Sequence, residues 1–287
     1  MLIVSFPDSA PLARAIAGKC RASFALLALH PFPDGESLVI IPRVKGKHIV
    51  FIAHLHHPNA KILPLLFALA TAKELGAKSI TLVVPYLPYM RQDKRFHEGE
   101  CVSQQVFAKL LSHYLDKLIT IDPHLHRVKK LSQVYRIKTK CLSANDLVAS
   151  FIKTHFPSAF IIGPDSESDQ WATKVARKAR LGSSILLKTR FSSESVSLSH
   201  LKRELKGKAV VIVDDIISSG NTMLEAVREA KRHQAKKVVC IGVHGLFAKD
   251  ADKRLQKHAA VITTNTIPHR TNRIDITDLL AEAIADA

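Results

Sequence analysis

The sequence predicts an α/β protein of two similar domains, each a largely parallel sheet flanked by helices. Three observations lead there. Short β-branched runs alternate with amphipathic stretches along almost the whole chain. The strand-like runs are apolar on both faces, as strands of a parallel sheet covered by helices must be. The length of 287 residues suits two domains of about 140 residues each better than one.

The elements follow in order. MLIVSFPDS opens the chain as a strand: no basic segment precedes its apolar run, and Pro7 soon interrupts it, so it does not read as a signal peptide. KHIVFIAHL (47–55) is a strand, and KILPLLFALATAKELG (61–76) is a helix ended by Gly76. SITLVVPYL (79–87) is the next strand, VSQQVFAKLLSHYL (102–115) a helix, and DKLITID (116–122) a strand. The second half keeps this rhythm, with strands AFIIGP (159–164), SILLKTR (184–190), KAVVIVDD (208–215), KVVCIGVHG (237–245) and AAVITTN (259–265), and helices near 168–180 and 221–233. A break falls at 140–146, where Ser143 or Asn145 caps a new helix. The domains are therefore 1–142 and 143–287, with the last helix free to pack back on the first domain.

Composition narrows the function. The chain is 47% hydrophobic and 23% charged, enough to bury a core. Its 42 Lys and Arg against 25 Asp and Glu give +17, a surplus that attracts anions without choosing among them. Aromatic residues make up 6%, too few for a base-stacking platform. Cys20, Cys101, Cys141 and Cys240 are far apart with no C-x-x-C, which excludes a zinc ribbon and a disulfide framework. No apolar run is long enough to span a bilayer, and the expected location is the cytoplasm.

In open α/β sheets ligands bind beyond the carboxyl ends of the strands. The most informative segment there is VVIVDDIISSGNTMLEAV (210–227). Four apolar residues run into Asp214 and Asp215, and a small-residue loop, Ser218, Ser219, Gly220, Asn221 and Thr222, then opens a helix. Such a loop offers backbone N–H groups and the positive end of the helix dipole to a phosphate. Carboxylates just before it would repel the phosphate and suit sugar hydroxyls one ribose length away. Neither G-x-x-x-x-G-K-[ST] nor G-x-G-x-x-G occurs.

This segment resembles the phosphoribosyl-diphosphate signature shared by phosphoribosyltransferases and ribose-phosphate diphosphokinases. PYLPYMRQDKRFHEGE (85–100) separates the two, because it is similar to a segment of the diphosphokinase first domain. The resemblance is closest to the archaeal-type branch and implies two phosphoribosyltransferase-like domains. It also implies ATP and ribose 5-phosphate as substrates and Mg²⁺ as cofactor.

Carried over position by position, it puts Arg91, Gln92, Asp93 and Lys94 around ATP. HPFPDGES (30–37) matches a hairpin that reaches a neighbouring subunit, giving Phe32, Asp34 and Glu36 to the ATP site and implying a homodimer or larger homo-oligomer. TIDPHLHRV (120–128) supplies His124 as ATP and metal ligand, and leaves His126 unassigned; IIGPDSESDQWA (161–172) supplies Asp165 as a metal ligand. Ser166, Glu167 and Ser168 depart from the glycines usual after that Asp. LLKTRFSSESVSL (186–198) resembles the catalytic arm, with Lys188 and Arg190 acting on the transferred group. Ribose 5-phosphate falls to Asp214, Asp215, Ser218, Ser219, Gly220, Asn221 and Thr222.

His54, His56 and His57 read as strand-end or loop residues rather than a zinc site. The reading includes no nucleic-acid or membrane partner. A phosphoribosyltransferase and a catalytically silent regulatory homologue remain the alternatives.

Overall fold

The computed structural model describes residues 1–125, 127–165, 168–185 and 205–286. The chain forms two compact units, Met1–Leu142 with Thr277–Ala287, and Ser143–Ile276.

In the first unit the chain runs β1 (Leu2–Ser5), α1 (Ala10–Lys19), β2 (Ser23–Leu26), the hairpin strands β3 (Ala28–Pro31) and β4 (Ser37–Ile40), and β5 (His48–Ile52). It continues through α2 (Asn59–Glu74), β6 (Ser79–Val84), α3 (Ser103–Tyr114), β7 (Lys117–Ile121) and β8 (Lys138–Leu142). The main sheet has the order β2-β1-β5-β6-β7-β8 and every pairing in it is parallel. β3 and β4 pair antiparallel as a separate ribbon.

Sequence explains most of this locally. Ile49, Phe51, Ile80, Leu82 and Leu118 are all buried, on strands whose helices cover both faces. α2 stops where Gly76 takes φ 79° and the Ala77 N–H donates to the Ala72 carbonyl at 3.0 Å, a left-handed helix end for which glycine costs least.

The second unit runs α4 (Asn145–His155), β9 (Phe160–Gly163), α5 (Asp169–Ala179), β10 (Ser183–Ile185), β11 (Ala209–Ile217) and α6 (Asn221–Arg232). Then come β12 (Lys237–Gly245), α7 (Ala251–Gln256), β13 (Ala260–Thr264) and β14 (Asn272–Ile274). Its sheet order, β10-β9-β11-β12-β13-β14, is again all parallel. With the ribbon set aside, the two units share one strand order. Val210 through Val213 are fully buried at the centre.

The last helix, α8 (Thr277–Ala285), belongs to the first unit. Leu280 and Ile284 are buried there, and each such side chain stabilises by about 1.5–3 kcal/mol. The exposed Lys19–Asp278 pair at 2.5 Å adds at most about 1 kcal/mol. Apolar burial, not the ion pair, holds α8 in place.

Two local expectations change. β11 continues to Ile217, so Asp214 and Asp215 lie within the last stretch of the strand instead of at its tip. The cap position of α4 is Ala144, with the Ser143 hydroxyl accepting the Asn145 N–H at 3.3 Å. No helix among the described residues is long and apolar enough to cross a membrane.

Candidate active site

In each sheet the strand that comes first in the chain lies second from one edge, and the connections run first to one side of it and then to the other, so the topological switch points lie between β1 and β5 and between β9 and β11. Ligand crevices are expected there.

In the second unit, Asp165 follows β9, and Asp214 and Asp215 lie in the last stretch of β11. The structure brings the three together. Burial, then the charges of Asp215 and Asp165, push the Asp214 carboxyl well above the usual carboxylate range. The Asp215 N–H donates to Asp214 Oδ1 at 3.0 Å. Asp165 is organised by Ser168: the Asp165 N–H donates to Ser168 Oγ at 3.0 Å, and the Ser168 N–H donates to Asp165 Oδ1 at 3.0 Å. Ser168 thus closes the turn that leads into α5. Gly163 permits the tight approach, since a Cβ there would meet Ala172 Cβ at 3.2 Å and the Ser168 carbonyl at 3.3 Å.

Beyond β11, Ser218 and Ser219 lead to Gly220, which takes φ 73° at the N-cap of α6. The Gly220 carbonyl accepts the Leu224 N–H at 2.9 Å. Asn221 and Thr222 form the first turn of α6, so the loop ends on backbone donors and a helix dipole.

These groups suit a hard divalent cation and a sugar phosphate. Among the described residues, no three His, Cys, Asp or Glu side chains are placed to hold one ion by themselves. Mg²⁺ asks for less: it is held by one or two carboxylates together with substrate phosphates and water. Three crowded carboxylates, one driven toward neutrality, are a donor set that such an ion would relieve.

In the first unit, the switch point is occupied by the protein's own polar groups. Ser9 Oγ accepts the His54 N–H at 2.9 Å, and Lys61 pairs with Asp8 and donates to the His54 carbonyl at 2.7 Å. Burial, with Lys61 nearby, pushes the His56 imidazole down to about 4.

The polar loop instead follows β6. Asp93, only 3% exposed at its side chain, takes Arg127 Nη1 at 2.7 Å, which ties this loop to the one after β7. Gln92 Nε2 donates to Glu100 Oε2 at 2.9 Å, the Phe96 N–H donates to the same oxygen at 2.8 Å, and His97 lies 2.7 Å from Glu100 Oε1. The hydrogen bonds from His97 and Phe96 hold the Glu100 carboxyl below the usual range. Lys94 and Arg127 stand over the Phe96 ring at 4.9 and 5.5 Å. His124 lies in the partly buried segment after β7.

The hairpin residues stand apart from this loop. The Phe32 N–H donates to the Glu36 carbonyl at 2.8 Å and the Glu36 N–H to Asp34 Oδ1 at 3.1 Å. Among the described residues, no hydrogen bond, ion pair or ring contact joins Phe32, Asp34 or Glu36 to residues 91–94 or His124. Lys188, Arg190, His126, Ser166 and Glu167 lie outside the described residues.

Sequence reasoning missed Arg127 and Glu100, which shape the loop after β6, and the role of Ser168. Glu100 and Ser168 left a local signal, as acceptors a few residues from the groups they bind. Arg127 left none, because its partner is 34 residues away in sequence.

Comparison with known proteins agrees with this division. Residues 1–114 match the N-terminal domain of ribose phosphate pyrophosphokinase, and residues 131–277 match the phosphoribosyl transferase domain. The chain is 34% identical to the ribose-phosphate pyrophosphokinase of Sulfolobus acidocaldarius over 261 residues, covering 88% of each chain. It is 29% identical to that of Methanopyrus kandleri over 289 residues, covering 99% of this chain and 98% of the relative. Among solved structures, phosphoribosylpyrophosphate synthetase from Mycobacterium smegmatis superposes with a TM-score of 0.85 at 25% identity, covering 99% of this chain and 97% of the other.

Proposed function

Because the chain belongs to the ribose-phosphate pyrophosphokinase family, we propose that it transfers the diphosphoryl group of ATP to the anomeric hydroxyl of ribose 5-phosphate. The products are 5-phosphoribosyl 1-diphosphate and AMP. The anomeric oxygen attacks the β-phosphorus in line, the bond from that phosphorus to the oxygen bridging the α-phosphorus breaks, and AMP leaves with that oxygen. The hydroxyl proton passes to solvent. Positioning and electrostatics carry such a step.

The observation that carries the reading is the carboxylate trio, Asp165, Asp214 and Asp215, in the same switch-point region as the amide loop at the N-terminus of α6. In this reading Ser218, Ser219, Gly220, Asn221 and Thr222 receive the 5-phosphate, and Asp214 and Asp215 face the ribose hydroxyls. Arg91, Gln92, Asp93, Lys94 and His124 bind ATP. Phe32, Asp34 and Glu36 complete the ATP site across a homodimer or larger homo-oligomer. Lys188 and Arg190 stabilise the transferring β-phosphoryl group. His124 and Asp165 would hold Mg²⁺, which neutralises and polarises the phosphoryl oxygens when bound. The enzyme is placed in the cytoplasm on this reading. A phosphoribosyltransferase reading leaves the match at residues 1–114 without a role.

The test is a coupled assay for AMP on the purified chain. AMP release that requires both ribose 5-phosphate and Mg²⁺ is expected. ATP hydrolysis of equal rate without the sugar phosphate overturns the assignment. Lys188→Ala is expected to lower turnover by orders of magnitude while ribose 5-phosphate still binds.

A further inference from the structure

The loop between β11 and α6 is held from one side by its carbonyls. The Ile217 carbonyl accepts the N–H groups of both Leu246 and Phe247 at 3.0 Å, from the segment that follows β12. Two residues on, the Ser219 carbonyl accepts Arg254 Nη2 of α7 at 2.5 Å.

α7 is a firm base for that contact. Ala251 and Leu255 are buried, and they lie against Gly220, where a Cβ would meet Ala251 Cβ at 3.1 Å and Leu255 Cδ1 at 3.2 Å. Arg254 is three residues from Ala251 and so shares a helix face with it. The buried Asp252 is gripped by Arg270 at 2.6 Å, which fixes α7 to the segment after β13.

The contact does not answer a desolvation demand. Ser219 is exposed, and water would satisfy its carbonyl as well. What a guanidinium on a fixed helix adds is direction. Across a trans peptide the C=O and the following N–H point to opposite sides of the chain. With the Ser219 carbonyl drawn toward α7, the Gly220 N–H is turned away from α7, to the side on which an anion at the N-terminus of α6 would sit.

We propose that Arg254 is a positioning residue: it holds the Ser219–Gly220 peptide so that the loop is already shaped to receive the phosphate of ribose 5-phosphate. This rests on the reading of residues 218–222 as the sugar-phosphate loop. The loop then need not be ordered at the moment of binding, which lowers the cost of binding. The positive charge of Arg254 adds a favourable field behind the loop.

The experiment uses the full chain with Arg254→Ala and Arg254→Lys, measured with both substrates varied and with inorganic phosphate as a competing probe. Arg254→Ala is expected to raise KM for ribose 5-phosphate and the inhibition constant for phosphate about tenfold, the scale of one charge-assisted hydrogen bond. KM for ATP and kcat are expected to stay within about twofold, and the thermal midpoint without ligands within about 2 °C. Arg254→Lys keeps a donor and is expected to recover most of the affinity. An unchanged KM for ribose 5-phosphate overturns the proposal. So does a loss in which both KM values, kcat and the thermal midpoint move together, the mark of a purely structural role. Failure of the underlying reading looks different, because the unmodified chain would then release AMP without ribose 5-phosphate.

Discussion

Gly220→Ala and Gly207→Ala form a matched pair that separates backbone strain from steric contact. Both glycines have φ 73°, so an L-residue at either pays about 1 kcal/mol for the left-handed conformation. Around Gly207 a new Cβ meets nothing within 4 Å, whereas at Gly220 it meets Ala251 Cβ at 3.1 Å and Leu255 Cδ1 at 3.2 Å. Carbon pairs prefer about 3.5–4.0 Å. Ala251 Cβ sits directly on the α7 backbone and cannot rotate away, so the loop or the helix must move. Overpacking of this kind costs about 1–3 kcal/mol, bringing Gly220→Ala to roughly 2–4 kcal/mol against about 1 kcal/mol for Gly207→Ala. Thermal unfolding is then expected to fall by about 2–4 °C for Gly207→Ala and roughly 4–16 °C for Gly220→Ala. Only Gly220→Ala is expected to raise KM for ribose 5-phosphate, by about tenfold or more. Equal losses of stability, or a normal KM in Gly220→Ala, would refute the reasoning.

Three other outcomes follow from the same geometry. Asp214→Asn removes a charge opposed by burial, Asp215 and Asp165; it is expected to raise the thermal midpoint while abolishing AMP formation, and a lowered thermal midpoint would contradict this. Arg127→Ala leaves the enclosed Asp93 carboxylate without its ion pair; a cost of about 1–3 kcal/mol and a raised KM for ATP alone are expected, checked by denaturant unfolding and steady-state kinetics. The His56 imidazole is held near 4 in the folded chain, so the unfolded chain takes up the proton first as pH falls. Stability should therefore be full above about pH 6.5 and decline toward pH 4, by about 1 kcal/mol after allowance for solvent screening. His56→Gln should flatten that slope in unfolding measured from pH 4 to 7.5.

The fold was legible where one force dominates. KVVCIGVHG had to be a strand because eight of its nine residues are buried, and β12 occupies the predicted span, Lys237–Gly245. α1 and β14 were not anticipated: α1 carries Gly18 inside its span, and β14 has only three residues. β11 outran its expected end because β12 pairs with it as far as Ile217 and Gly245, information held in another strand. The site followed the same rule. The amide loop at Ser218–Thr222 is local and could be read from composition. Its support from Arg254, and the closing of Asp93 by Arg127, join residues 35 and 34 positions apart. No local pattern encodes such contacts.

A shared strand order does not give the two units equal claims on a cation. At the first switch point, Asp8 is paired with Lys61, and Ser9 accepts the His54 N–H; the charge there is already balanced. At the second, the Asp214 carboxyl is disfavoured by two like charges. A divalent ion gains most where carboxylates are crowded together. Mg²⁺ should therefore raise the thermal midpoint of the full chain through the second unit. Asp8→Asn is expected to keep that increment, measured in the absence of substrates, and Asp165→Asn to lose most of it. If Asp8→Asn abolished the increment and Asp165→Asn left it intact, the ion would belong to the first unit, and the charge argument for the site would be wrong.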